Sequence, residues 1–137
     1  MRSYLLAIFA TLVAAALSPA VAADMTAAEI KTYAIGTTQY VELGAATVTG
    51  QTGQGVIYRA EDGSALYKTP KGAIWTGKWE LKGDTLCTTW KQAPTPGPSC
   101  SRYERTGDTV SVLDATTGTL RVKVMKTAPG NAEKLAP

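Results

Sequence analysis

The strongest constraint on how this chain can fold is a period of two. From Gln39 to Lys126 the apolar residues fall on alternate positions in short runs, and most runs end at a glycine-bearing break. Successive side chains of a strand point to opposite faces, so each such run buries one side and wets the other. The pattern predicts strands at 39–43, 55–60, 65–69, 74–81, 85–91, 100–106, 109–114 and 119–126. Asp62-Gly63 suits the positive φ values of a two-residue hairpin turn, and Lys82-Gly83-Asp84, Gly107-Asp108 and Thr117-Gly118 are similar breaks. Short strands joined in this way form an antiparallel meander. Seven or eight of them with one apolar face must cover that face, by closing as a small barrel or folding over as a sandwich. The expected fold is mainly β, with a short N-terminal helix.

Alternation also assigns the faces. Trp75, Gly77, Trp79 and Leu81 share one side, as do Leu86, Thr88 and Trp90, then Val110 and Val112, then Leu120, Val122 and Val124. Arg121 and Lys123 then face water. Ahead of the strands, Thr26-Ala27-Ala28-Glu29 is a capping box, opening a helix from Ala27 to about Tyr33 with Gly36 as its stop. Ala27, Ile30 and Ala34, with Tyr33 beside them, can rest on a sheet, and a helix this short must dock to persist. The stretch from Gly44 to Gly55 reads either as a loose loop or as a glycine-weakened edge strand. The tail from Thr127 to Pro137, with Pro129 and Gly130, is expected to be loosely held.

The first residues read as a secretory signal. Arg2 gives a positive start, Leu5 to Leu17 is uncharged and apolar, and Ser18-Pro19 breaks the run before Ala20-Val21-Ala22-Ala23. The apolar run has about 13 residues, whereas a bilayer span needs roughly 20. Cleavage is expected to leave a chain starting at Ala23 or Asp24. Residues 1–23 are thus the signal peptide and 24–137 one β-rich domain, periplasmic or secreted, with no stable membrane insertion. An exported chain with two cysteines favours a disulfide, here Cys87–Cys100, which would enclose Pro94, Pro96 and Pro98. Cys87 falls on the side opposite Leu86 and Trp90, and Cys100 opposite Ser101 and Tyr103, so the bond belongs on the outer face.

The chain contains no histidine. That removes Ser-His-Asp and Cys-His nucleophiles, histidine acid–base chemistry and most transition-metal centres. No pair of acids stands out, so no catalytic residue is assigned and neither metal nor cofactor is expected. The net charge of +3 is spread without blocks of like sign, which argues against a nucleic-acid partner. Aromatic residues are the one group with the character of a binding surface. Alternation gives Trp79 and Trp90 to the core and leaves Tyr58, Tyr67 and Trp75 as candidate ligand-binding residues. Arg59, Lys68, Lys71 and Lys78 either gather at one end of the sheet, where they would attract an anion, or sit on solvated faces. Glu61-Asp62-Gly63-Ser64 lacks the acidic spacing of a calcium loop and reads as a turn.

Taken in order, Tyr58, Asp62-Gly63, Gly77-x-Trp79, Leu86-Cys87-x-x-Trp90, Cys100 and Gly107-Asp108 resemble a family of small exported alphaproteobacterial proteins, a domain of unknown function. The likeness spans Thr26 to Leu135 and implies a bacterial envelope location and a β-sheet domain, without an activity. Gly63-Ser64-Ala65-Leu66-Tyr67 followed by Trp75 is also similar to the S-G-x-x-Y stretch of periplasmic lysozyme inhibitors, with the first two residues exchanged. Two readings follow: a non-catalytic module binding a small molecule or an envelope protein, or a protein inhibitor of a hydrolase such as lysozyme.

Overall fold

The computed structural model describes residues 16–45, 47 and 49–137. Most of the expected leader therefore lies outside the described residues, and Ala16 to Ala22 is exposed chain leading to the first strand. Among the described residues no helix is long and apolar enough to cross a membrane. The elements are β1 (Ala23–Asp24), α1 (Ala27–Ala34), β2 (Thr37–Leu43), β3 (Gln54–Arg59), β4 (Ser64–Lys68), β5 (Ile74–Lys82), β6 (Thr85–Trp90), β7 (Ser99–Thr106), β8 (Thr109–Asp114) and β9 (Leu120–Pro129).

Strands β2 to β9 follow one another around a ring, all antiparallel, and β9 closes the ring on β2. The meander is a closed eight-stranded barrel, with β1 as one extra strand. Closure removes the exposed strand edges that an open sheet would offer.

The ladders around the ring are unequal. β5–β6 and β7–β8 each pair six residues, whereas β6–β7 pairs only Leu86↔Ser101, Cys87↔Cys100 and Thr88↔Ser99. Cys87 and Cys100 stand opposite each other in this short seam and form a disulfide. Farther along β7, where β6 no longer reaches, β1 takes over the same edge through Ala23↔Arg105 and Asp24↔Glu104. The Met25 amide continues it by donating to Tyr103 O at 2.8 Å.

Helix α1 closes the barrel end where β2 and β6 begin. Thr26 caps it as the sequence predicts: its hydroxyl accepts from the Glu29 amide at 3.3 Å, and the Glu29 carboxylate accepts from the Thr26 amide at 2.8 Å. The Thr26 amide, together with the Thr26 hydroxyl donating at 3.1 Å, holds the Glu29 carboxyl below its ordinary value. The Ala27 amide donates to Asp84, in the β5–β6 turn, at 2.7 Å and so ties the helix start to the barrel rim. Ile30 and Ala34 are fully buried beneath it, among Met25, Leu86, Tyr103, Val110 and Val124. Tyr33 meets Tyr103 edge-on, with ring centroids 6.4 Å apart.

Two expectations need correction, and one open alternative is decided. The β3–β4 turn is longer than two residues: the Ala60 amide donates to Ser64 O, and only Gly63, at φ 90°, is left-handed. Asp62 instead accepts from the Ser64 amide and hydroxyl, which a carboxylate can do from an ordinary φ. The stretch after β2 is a loop rather than an edge strand as far as it is described, since Ala46 and Val48 lie outside the described residues. Gly44 allows its close approach to β9, because a β-carbon there would stand 2.4 Å from Leu120 O. The tail is tied down rather than loose. β9 runs to Pro129, Thr38 Oγ1 donates to Gly130 O at 2.6 Å and accepts from the Ala132 amide, and Leu135 is buried.

A candidate ligand cavity at the open end of the barrel

Among the described residues the barrel end opposite α1 has no helix over it, and there the interior is incompletely filled. A half-enclosed cavity of about 60 Å³ is walled by apolar Leu43, Ile57, Trp90, Val112 and Val122. Thr47, Tyr67, Arg59, Thr88, Ser99, Ser101 and Arg121 add polar atoms to its lining. Leu86, Tyr103, Val110 and Val124 do not line it; they belong to the filled half below. A water needs roughly 10–15 Å³ of such space, so the cavity admits a few waters or a ligand portion of a few heavy atoms.

Two inward-facing glycines shape this space. A β-carbon on Gly55 would lie 2.7 Å from the Tyr67 ring, and one on Gly77 would lie 2.4 Å from Thr89 O and 2.9 Å from the Trp90 ring. Each glycine therefore lets a large aromatic ring lie against the wall beside it. The Gly77-x-Trp79 and Leu86-Cys87-x-x-Trp90 motifs now have a physical meaning. Gly77 sits opposite Trp90 across the β5–β6 ladder, and Cys87 bonds the next seam.

Arg59 is the unusual lining residue. It is only 7% exposed, yet its hydrogen bonds go to neutral oxygens: Nε donates to Thr88 Oγ1 and Nη1 to Gln39 Oε1, both at 3.3 Å. Among the described residues no carboxylate stands within ion-pair distance of it; the ion pairs are Lys82–Glu80, Arg102 with Asp24 and Glu104, and Arg121–Asp114. Buried charges are ordinarily paired, and a guanidinium does not escape its burial by losing a proton. Four further buried side-chain atoms lack partners among the described residues: Gln39 Nε2, Gln51 Oε1, the Tyr67 hydroxyl and Arg121 Nε. Burial pushes the Tyr67 phenol up, and the nearby Thr49 side chain offsets part of that rise.

Arg121 stands at the rim, where the sequence pattern had placed it in water. The β8–β9 ladder pairs Val112 with Val122 and then Leu113 with Leu120, so Arg121 is the extra residue of a β-bulge. The bulge re-aims its side chain to the barrel mouth. Its guanidinium pairs with Asp114 at 2.5 Å and donates to Ser99 Oγ. The Thr117 and Thr116 amides, with Arg121, hold the Asp114 carboxyl below its ordinary value against the opposing effect of burial.

The structure brings two of the three sequence candidates together. Tyr67 lines the cavity and Trp75 meets it edge-on, with centroids 6.0 Å apart; Trp90 lies 5.7 Å from Tyr67 on another side. Tyr58 alternates with inward Ile57 and Arg59 and stands on the outer face. The four candidate cations do not gather. Arg59 is inside, Lys68 and Lys78 are exposed on outer faces, and Lys71 lies in the β4–β5 turn. In the stretch from Gly63 to Tyr67, Ala65 and Tyr67 are buried in the interior, which leaves the turn and Leu66 facing outward.

The burial of Arg59 had a sequence signal. It follows Ile57 by two positions in a strand, so the same alternation that buries Ile57 carries Arg59 inward. Among the described residues no group of three or more histidine, cysteine or acidic side chains is placed to hold a metal ion. No family model, curated protein or solved structure matches this chain.

Proposed function

We propose that this domain is a non-catalytic binding module of the bacterial periplasm that takes a small ligand into the open half of its barrel. The observation that carries the reading is a set of buried polar groups without adequate protein partners, Arg59 and the Tyr67 hydroxyl, converging on one cavity with apolar walls. A buried polar group left unpaired costs about 1–3 kcal/mol, and a bound ligand would supply the missing partners. The secretory pattern of residues 1–23 and the Cys87–Cys100 bond support an oxidising, extracytoplasmic location.

Tryptophan emission tests this reading, because Trp90 lines the cavity and Trp75 touches Tyr67. Titration with a panel of small polar and amphiphilic molecules should give saturable changes, abolished by Ser101→Leu, which fills the cavity from β7. Perturbations confined to exposed residues such as Lys68 and Lys78 in an amide NMR titration would overturn it. Tight inhibition of lysozyme with no change at the interior tryptophans would favour the inhibitor reading instead.

A further inference from the structure

We infer that the ligand is an organic monocarboxylate, its charged end on Arg59 and its hydrocarbon part against Leu43, Ile57 and Val122; this rests on the interior-binding reading above. The charge argument comes first. Arg59 is a full positive charge held inside the barrel with no opposing charge in reach among the described residues. The guanidinium has five N–H groups in a planar fork that matches a carboxylate, and its protein hydrogen bonds use two of them, both on uncharged oxygens. Arg121, the other cation at the cavity, is already neutralised by Asp114. One uncompensated charge calls for a monoanion, since a dianion would leave excess negative charge among apolar walls.

The walls decide the rest of the ligand. Leu43, Ile57, Val112 and Val122 present only hydrocarbon, so a compact inorganic anion would gain nothing from them and leave them wet. The Tyr67 hydroxyl, buried and without an acceptor, is a second donor on the same cavity. A volume of about 60 Å³ holds a carboxylate with a few carbons, and a longer chain would leave through the open end.

The test is calorimetry and tryptophan emission on the purified protein with the Cys87–Cys100 bond intact. Hexanoate and benzoate are titrated beside hexanamide and benzamide, with inorganic phosphate and chloride as competitors. The expected result is binding of each acid about tenfold or more tighter than its amide, undisturbed by equimolar phosphate or chloride. Arg59→Met should bring the acid-to-amide ratio to about one, and Arg59→Lys should restore part of the preference. Equal binding of acid and amide by the wild type overturns the carboxylate assignment while leaving interior binding standing. So does an unchanged ratio in Arg59→Met. Displacement of the acids by phosphate or chloride shows a simple anion site and also overturns it. If none of the four organic probes reaches the interior tryptophans, the interior-binding reading itself fails. Should Arg59→Met not fold, the wild-type acid and amide comparison decides alone.

Discussion

The two ends of the barrel are built from the same alternating strands and finished in opposite ways. At the capped end Ile30 and Ala34 of α1 are fully buried and share one core cluster of hydrocarbon and aromatic rings with Leu86, Tyr103, Val110 and Val124. At the open end no helix covers the mouth among the described residues, and Thr47 of the β2–β3 loop reaches the cavity. Polar groups descend into the interior, and a buried arginine meets only neutral oxygens. Close packing marks the half that holds the molecule together. Unsatisfied polarity marks the half available for work, since functional sites are where local rules for stability are set aside.

This contrast can be broken by mutation. Tyr103→Ala removes a ring packed against Tyr33 and should cost about 4 kcal/mol in urea denaturation. Leu43→Ala, beside space already present at the mouth, should stay near the low end for such truncations, about 2 kcal/mol. Equal losses would break the comparison. Cys87→Ser should cost about 3 kcal/mol and raise amide exchange along β6 and β7 before it does so in β2 and β3. Free alkylation of both wild-type thiols would remove the premise. Thr26→Ala takes away the helix cap and should cost about 1 kcal/mol, sensed at the capped end and not by Trp90.

The smallest effect is acidic, and it belongs to the mouth. Asp114 has a folded-state value below its ordinary one, so its stabilising contribution is present above the unfolded carboxyl value of about 3.9. It is lost as pH falls through the lower folded value. Acidification should therefore weaken the Arg121–Asp114 contact, and Asp114→Asn should flatten that part of the pH–stability profile. An unchanged profile would show that the rim pair adds nothing to folding.

Much of the architecture was legible because period two is a geometric property of strands. Alternation put Trp90, Leu86, Val112 and Val124 inside, and placed Cys87 and Cys100 on one face of adjacent strands, where the ladder pairs them directly. It failed where the backbone departs from regular pairing. Arg121 was assigned to water because a bulge adds one residue to β9, and no residue type announces that insertion. The tail was misread because Pro129 and Gly130 suggest looseness locally, whereas its anchors, Thr38 and the Asn131–Leu135 hydrogen bonds, come from tertiary contact. The candidate site was only half visible. Aromatic chemistry singles out Tyr67 and Trp75, whereas charge alone groups Arg59 with surface lysines, and the strand's own alternation is the better guide to it.

The short β6–β7 seam has a consequence for how copies of this protein behave toward one another. A ring of strands offers neighbours no template, and here three residue pairs and one covalent bond complete that ring. Reducing the sulfurs would weaken the shortest of the joins that keep the cylinder from becoming a sheet with two bare margins. Exchange of strands between copies is the natural outcome for such margins, so a reducing compartment should favour association as well as instability.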